Sequence, residues 1–246
     1  MTSTTFEDRP AAISVRAARL AMGAIVLYQA LLILLIFLRP DLDPSWHTIS
    51  EWAIGPYGSI MSAAFLISAL SYAALLLMLR SQLHGVSGRI GCLLLSICVI
   101  GATGVGLFKT DPMPIHPPLS IRGTLHVVFG TSQLVLLPFA AFFINLSLVR
   151  YNEAWRRARR LLLWTGGLPL FGLLSFVIHS AIFVFPLGPG AYGPGVNIGW
   201  PPRFAFFTYM LWVVTLSWQA IQCSRHTTRA RQERDDHYGR YQFQNG

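Results

Sequence analysis

The sequence predicts an all-α polytopic membrane protein with six transmembrane helices and both termini in the cytoplasm. Three observations carry this reading. Only 12% of the 246 residues are charged and 53% are hydrophobic, whereas a soluble domain carries about a quarter charged residues. The apolar residues come in blocks, and about 20 of them in a row span a bilayer's hydrocarbon core as a helix, the form that satisfies every backbone polar group where water is absent. The basic residues are unevenly shared between the segments that separate the blocks: fifteen fall on one side of a six-span topology and four (Arg39, Lys109, Arg122, Arg203) on the other. Cytoplasmic segments hold the Lys/Arg excess.

The elements follow in order. Residues 1–17 read as a loose cytoplasmic tail. The first helix covers about 20–38; its length and the absence of a small-residue cleavage site argue against a cleaved signal. Loop 39–58 holds Trp46, Trp52 and Tyr57, suited to the headgroup level, and Pro44 opens a short interfacial helix from Ser45. Helix two, about 59–79, presents Ser62, Ser68 and Ser71 for close packing. Helix three, about 90–108, contains Gly101, Gly104 and Gly106; these resemble a phosphate-binding glycine loop, but no strand precedes them, and close helix packing is the better reading. Helix four, about 123–148, carries Pro138 as an expected kink. Loop 149–160 has five arginines. Helix five covers about 161–185, loop 186–202 is rich in Gly and Pro, and helix six covers about 203–221. Residues 18–222 thus form one transmembrane domain, and 223–246 read as a disordered cytoplasmic tail.

The net charge of +9 is a cytoplasmic collar facing anionic lipid headgroups. No nucleic-acid motif accompanies it. A single lysine among nineteen basic residues reads as the codon bias of a GC-rich, bacterial genome. Cys92, Cys98 and Cys223 lack CxxC spacing, which argues against a disulfide framework or a structural zinc site.

Topology places Ser50, Glu51, Asp111, Arg122, His126, His179 and Arg203 in one slab near the outer leaflet. The stretch 108–126 forms one wall of it. His179 lies in an apolar span, where an ionisable group is a functional hypothesis by default; the plainer reading is a neutral ring bonded to a neighbouring helix. His126 sits nearer the interface and reads as site residue or as structural. Asp111 either joins a site, caps a turn before Pro112, or pairs with Arg122 or Arg203. Ser50 and Glu51 also fit a cap and first-turn acid. His47 and His116 read as solvated, and Lys109 as snorkelling outward.

His47-Thr-Ile-Ser50-Glu51 before a helix, the glycine-rich helix ending in Phe108-Lys-Thr-Asp111-Pro, and Gly123-Thr-Leu-His126 opening the next resemble the bacterial and archaeal membrane family called domain of unknown function 998. The resemblance covers about residues 18–222. A weaker similarity links the chain to the six-helix DRAM and Sfk-type membrane proteins, which are tied to lipid organisation. The resemblance implies a six-helix bundle and points to Ser50, Asp111 and His126; it implies no reaction.

The leading functional expectation is an outer-leaflet polar pocket that binds or handles a lipid or small molecule without catalysis. Arg122 and Arg203 would meet phosphate, and loop 186–202 would act as a lid. An alternative is a zinc-dependent intramembrane hydrolase resembling ceramidases, with His126, His179 and Asp111 as candidate ligands, His47 as a possible fourth, and Glu51 or Asp111 as base. No two of the seven histidines lie four apart, so the paired-His helix signature is missing. Six spans also fall short of the seven expected there. A third reading is a small proton-coupled transporter using Asp111, His126 and His179. Whether the protein is an enzyme stays open at this stage.

Overall fold

The computed structural model describes residues 13–114 and 118–244. Most of the expected N-terminal tail, and His116, lie outside the described residues. Among these residues the chain is all-α. α1 spans Val15–Leu38, α2 Gly58–Leu79, α3 Gly85–Leu107, α4 Ile121–Tyr151, the one-turn α5 Glu153–Arg156, α6 Arg159–His179 and α7 Trp200–Gln244. A 3₁₀ turn, Ile49–Ala53, sits in the α1–α2 connection. α6 runs on through a π-helical turn, Ser180–Val184, into a 3₁₀ turn, Phe185–Leu187. Six of these helices are long and apolar enough to cross a membrane. The protein is a multi-pass membrane protein.

The six long helices form a closed ring. Each packs on its neighbour in the chain, from α1 to α2, α3, α4, α6 and α7, and α7 closes back on α1. Segments 39–57, 108–120 and 188–199 gather at one end, called here the loop end. The connections α2–α3 and α4–α6, with their arginines, gather at the other.

Small residues set the tightest contacts. A Cβ on Gly91 would press on the Ile144 backbone, one on Gly101 on the Phe129 carbonyl, and one on Gly104 on the Phe129 ring. The glycines of α3 thus serve α3–α4 packing, as membrane helices need in the absence of a hydrophobic drive between them. Ser71 donates to the Ala21 carbonyl (2.7 Å) and so joins α2 to α1. At the arginine end, Ser147 donates to the His84 carbonyl (2.8 Å) and accepts from its N–H (3.1 Å). Near the same end, Asn145 on α4 donates to the Leu162 carbonyl and accepts from the Trp212 indole (3.2 Å), tying three helices together.

Several features differ from the sequence reading. The short helix expected from Ser45 is the 3₁₀ turn Ile49–Ala53, set by a Thr48–Glu51 capping box. Trp52 does not present its ring to the surroundings: it is 1% exposed, its indole donating to the Leu35 carbonyl (3.1 Å). Loop 149–160 contains α5, capped by Asn152. The last helix runs to Gln244, through the segment read as a disordered tail. No proline follows Pro202, and Arg, Gln, Glu and Ala there are good helix formers.

Candidate functional site

The site lies at the loop end, where the 3₁₀ turn meets the start of α4. Two α-helices and three connecting segments deliver its residues. Ser120 caps α4 by accepting from the Gly123 N–H (3.0 Å). Asp111 in turn accepts from the Ser120 N–H (2.8 Å) and hydroxyl (2.5 Å). Its carboxylate packs so closely on Gly123 that a Cβ there would collide with it. Asp111 therefore anchors the first turn of α4. It makes no ion pair with Arg122 or Arg203; its partners are the Ser120 N–H and hydroxyl.

One turn further on, His126 is 4% exposed and fully engaged. Its Nδ1 lies 2.6 Å from the Phe108 carbonyl and its Nε2 lies 2.7 Å from the Ser50 hydroxyl. A carbonyl only accepts, so Nδ1 carries the proton, and in the neutral ring Nε2 accepts from Ser50. Phe65 meets the imidazole edge-on, with centroids 6.2 Å apart. Ser50 itself is partly exposed.

Glu51, 7% exposed, accepts from the Thr48 hydroxyl (3.0 Å) and N–H, and from the Tyr192 hydroxyl of the Gly/Pro-rich loop. Desolvation first, and then the bond to Glu51, push the Tyr192 phenol well above its ordinary value. Arg203 opens α7 and donates to the carbonyls of Pro44 (3.2 Å), His47 (2.9 Å) and Gly199 (2.7 Å), with its guanidinium 4.4 Å from the Trp52 ring centroid. Stacked and bonded in this way through Nη1, it holds the loops together. His47, expected in solvent, is 6% exposed; Trp46 covers it at 3.6 Å between centroids. Arg39 donates to Asp41 and to the carbonyls of Ile54 (2.8 Å) and Pro56 (3.0 Å). Its hydrogen bond raises the Arg39 pKa and holds the Asp41 carboxyl below its usual range.

The structure thus joins Ser50 to His126, and Glu51 to the loop that Arg203 also braces. His179, half-buried, bonds the Asn197 carbonyl of that same loop (2.7 Å). Arg122 is exposed, as is Lys109. The sequence reading missed Tyr192, Ser120 and the Phe108 carbonyl. Ser120 carried a signal, since serine is a preferred helix N-cap.

The candidate metal ligands do not come together. Both His126 nitrogens, the Asp111 carboxylate and His179 Nε2 hold different partners, and among the described residues no group of three or more His, Cys, Asp or Glu could hold a metal ion. A groove of about 480 Å³ lies on α6 between Leu163, Trp164, Gly167, Leu168 and Phe171; it is apolar, and none of the seven candidate residues lines it. Inside the ring, Tyr72 faces Gln133, yet neither the hydroxyl nor the amide nitrogen makes a well-formed hydrogen bond, and the Tyr28 hydroxyl has no partner either.

No curated protein and no solved structure matches the chain. The family described as "Protein of unknown function (DUF998)" matches residues 22–219, which take in the 3₁₀ turn, the Asp111 anchor, the Ser50–His126 pair and all but the ends of the helical ring. The chain belongs to the DUF998 family.

Proposed function

We propose that the protein binds or handles a membrane amphiphile at the loop end of the bundle, on the extracytoplasmic face of the plasma membrane, with both termini cytoplasmic. The observation that carries this reading is the polar cluster built by Ser50, Glu51, His126 and Tyr192 at the mouth of the helical ring. Partly exposed Ser50 and Tyr192 front it. Lys109 and Arg122, exposed on segments flanking it, favour an anionic headgroup. Arg203 serves as a brace for the mouth, and loop 188–199 as its cover, latched through Tyr192. The opposite end, rich in arginine, suits the anionic lipid of the cytoplasmic leaflet.

Lipid analysis of the protein purified in mild detergent tests the binding. An enriched lipid that falls away in a Lys109→Gln/Arg122→Gln variant supports it; a lipid profile equal to that of the bulk membrane in both proteins sinks it. Labelling of single cysteines placed in 39–57 and in 80–84 tests the orientation. The first set should react with an impermeant reagent outside intact cells, and the second should not.

A transport reading is favoured by one observation, the unpartnered Tyr28, Tyr72 and Gln133 groups inside the ring. Buried polar groups without partners are costly in a membrane interior, and water in the ring would satisfy them. Proton flux in proteoliposomes, abolished by Tyr72→Phe, supports this reading; absence of flux in the parent protein removes it.

A further inference from the structure

We propose that Ser50 and His126 are a nucleophile and its general base, and that the pair cleaves a carboxylic ester bond of a membrane amphiphile. The proposal rests on the lipid-handling reading and adds a reaction to it. Its basis is geometric. The Ser50 hydroxyl lies 2.7 Å from His126 Nε2, and the opposite ring nitrogen lies 2.6 Å from the Phe108 carbonyl. That carbonyl fixes the tautomer in which Nε2 faces the serine with its lone pair, the arrangement that lets an imidazole take a hydroxyl proton. The backbone carbonyl stands where a third, orienting side chain stands in a triad. His126 is almost completely buried while Ser50 reaches the surface, so the base is sheltered and the nucleophile is presented.

Other serines of the bundle show what a purely structural serine does here. Ser68, Ser71, Ser96 and Ser147 each donate to a backbone carbonyl. Ser120 donates to the Asp111 carboxylate but is itself the α4 cap, whereas Ser50 donates to an imidazole nitrogen. The turn that carries it is held on several sides: by the Thr48–Glu51 box, by Trp52 bonded to Leu35, by Arg203 over Trp52 and by Tyr192 on Glu51. A nucleophile held by locked supporting side chains is one preorganised for attack. On the helix side, Asp111 fixes the first turn of α4 through Ser120 and so acts as a positioning residue.

In the reaction, Ser50 Oγ attacks the ester carbonyl carbon as its proton passes to His126 Nε2. The tetrahedral adduct collapses, the carbon–oxygen bond to the alcohol breaks, and the alcohol leaves with the proton from Nε2. Water then attacks the acyl-serine and gives a proton to Nε2. The second adduct expels Ser50 Oγ, which recovers that proton, and a carboxylic acid is released. Water is the co-reactant and no redox change occurs.

The test uses the full-length protein in detergent with a long-chain alkyl fluorophosphonate, which phosphonylates activated serines. The expected result is an adduct mapped to Ser50 by peptide mass spectrometry, absent in Ser50→Ala. Labelling should slow by about 100-fold or more in His126→Gln, the usual scale of general-base assistance. Glutamine can still accept from Ser50 and donate to Phe108, so a merely structural bond survives that change. No adduct at Ser50 in the folded parent protein overturns the proposal, and that measurement needs no variant. Equal labelling rates in the parent and in His126→Gln also overturn it. Lipid retention on the same preparations reads the underlying function separately: a specific lipid retained without labelling sinks the reaction alone.

Discussion

The Tyr192 hydroxyl donates to the Glu51 carboxylate across 141 residues of chain. This single bond latches the Gly/Pro-rich loop onto the 3₁₀ turn that carries Ser50. Tyr192→Phe should therefore free the loop. The expected cost is about 1 kcal/mol, below the usual range for a bond to a charged group because the pair is partly exposed. Hydrogen exchange over 188–199 should quicken while that of α2 and α3 stays unchanged. Because the folded phenol pKa is raised, the latch is fully present below the ordinary tyrosine value of about 10 and is lost only as pH rises through the folded value.

Arg203 is the second brace. Its Nη1 serves three carbonyls while the guanidinium plane covers Trp52. Lysine keeps the charge but lacks the flat, stacked fork. Arg203→Lys should lower the unfolding temperature in detergent nearly as far as Arg203→Ala does. Full recovery by lysine would show that charge alone matters there.

Gly123 and Asp111 form a coupled pair. Gly123→Ala places a methyl into the Asp111 carboxylate and should destabilise by about 1–3 kcal/mol through overpacking. Asp111→Ala should cost about 1 kcal/mol through the weakened α4 cap. The double variant should be less damaged than the sum of the two, because the clash vanishes with the carboxylate. Strict additivity in a thermal-unfolding cycle would contradict this packing.

Asn145 is predicted to matter for folding and not for the site. Asn145→Leu leaves the Trp212 indole and the Leu162 carbonyl without their partner and should cost about 1–3 kcal/mol. Folded yield should drop, while fluorophosphonate labelling per folded molecule is unchanged.

The Arg39–Asp41 pair sets an acid dependence. The Asp41 carboxyl is held below its ordinary value by Arg39. Its contribution is therefore present above the unfolded carboxyl value, about 3.9, and is lost as pH falls through the lower folded value. Asp41 is 58% exposed, so the effect is small. Proteolysis within 39–57 should rise only in strong acid, and in Asp41→Asn it should already be raised at neutral pH.

The spans were legible in the sequence because membrane helices announce themselves by length and hydropathy. Their lateral order was not. Membrane helices of this kind are apolar on nearly every face, so nothing in the residues says that α7 closes on α1. That Ser50, Asp111 and His126 share one end of the bundle followed from the order of the spans, but their partners did not. His126 meets a serine 76 residues away, and no periodicity encodes that pairing. His47 looked solvated because it sits in a loop; Trp46 and the Arg203 brace cover it. The length of the last helix is hidden in the sequence because 223–246 is polar throughout, and helix propensity is a weak signal beside the loss of hydropathy.

The α3–α4 seam has a consequence for evolution and for engineering. Gly88 and Gly91 lock onto Ser147 and Ile144 near the arginine end, and Gly101 and Gly104 onto Phe129 toward the loop end. About 30 Å of helix separates Gly88 from Phe108 at 1.5 Å per residue, yet the two helices interlock along that whole length like the teeth of a zip. Phe108 caps the end of one helix and His126 lies in the second turn of the other, so their 2.6 Å bond inherits whatever vertical offset the zip imposes. A methyl added at Gly88 would meet the Ser147 hydroxyl at 2.9 Å, and the glycines of the seam are the vernier on which the Phe108–His126 offset is set.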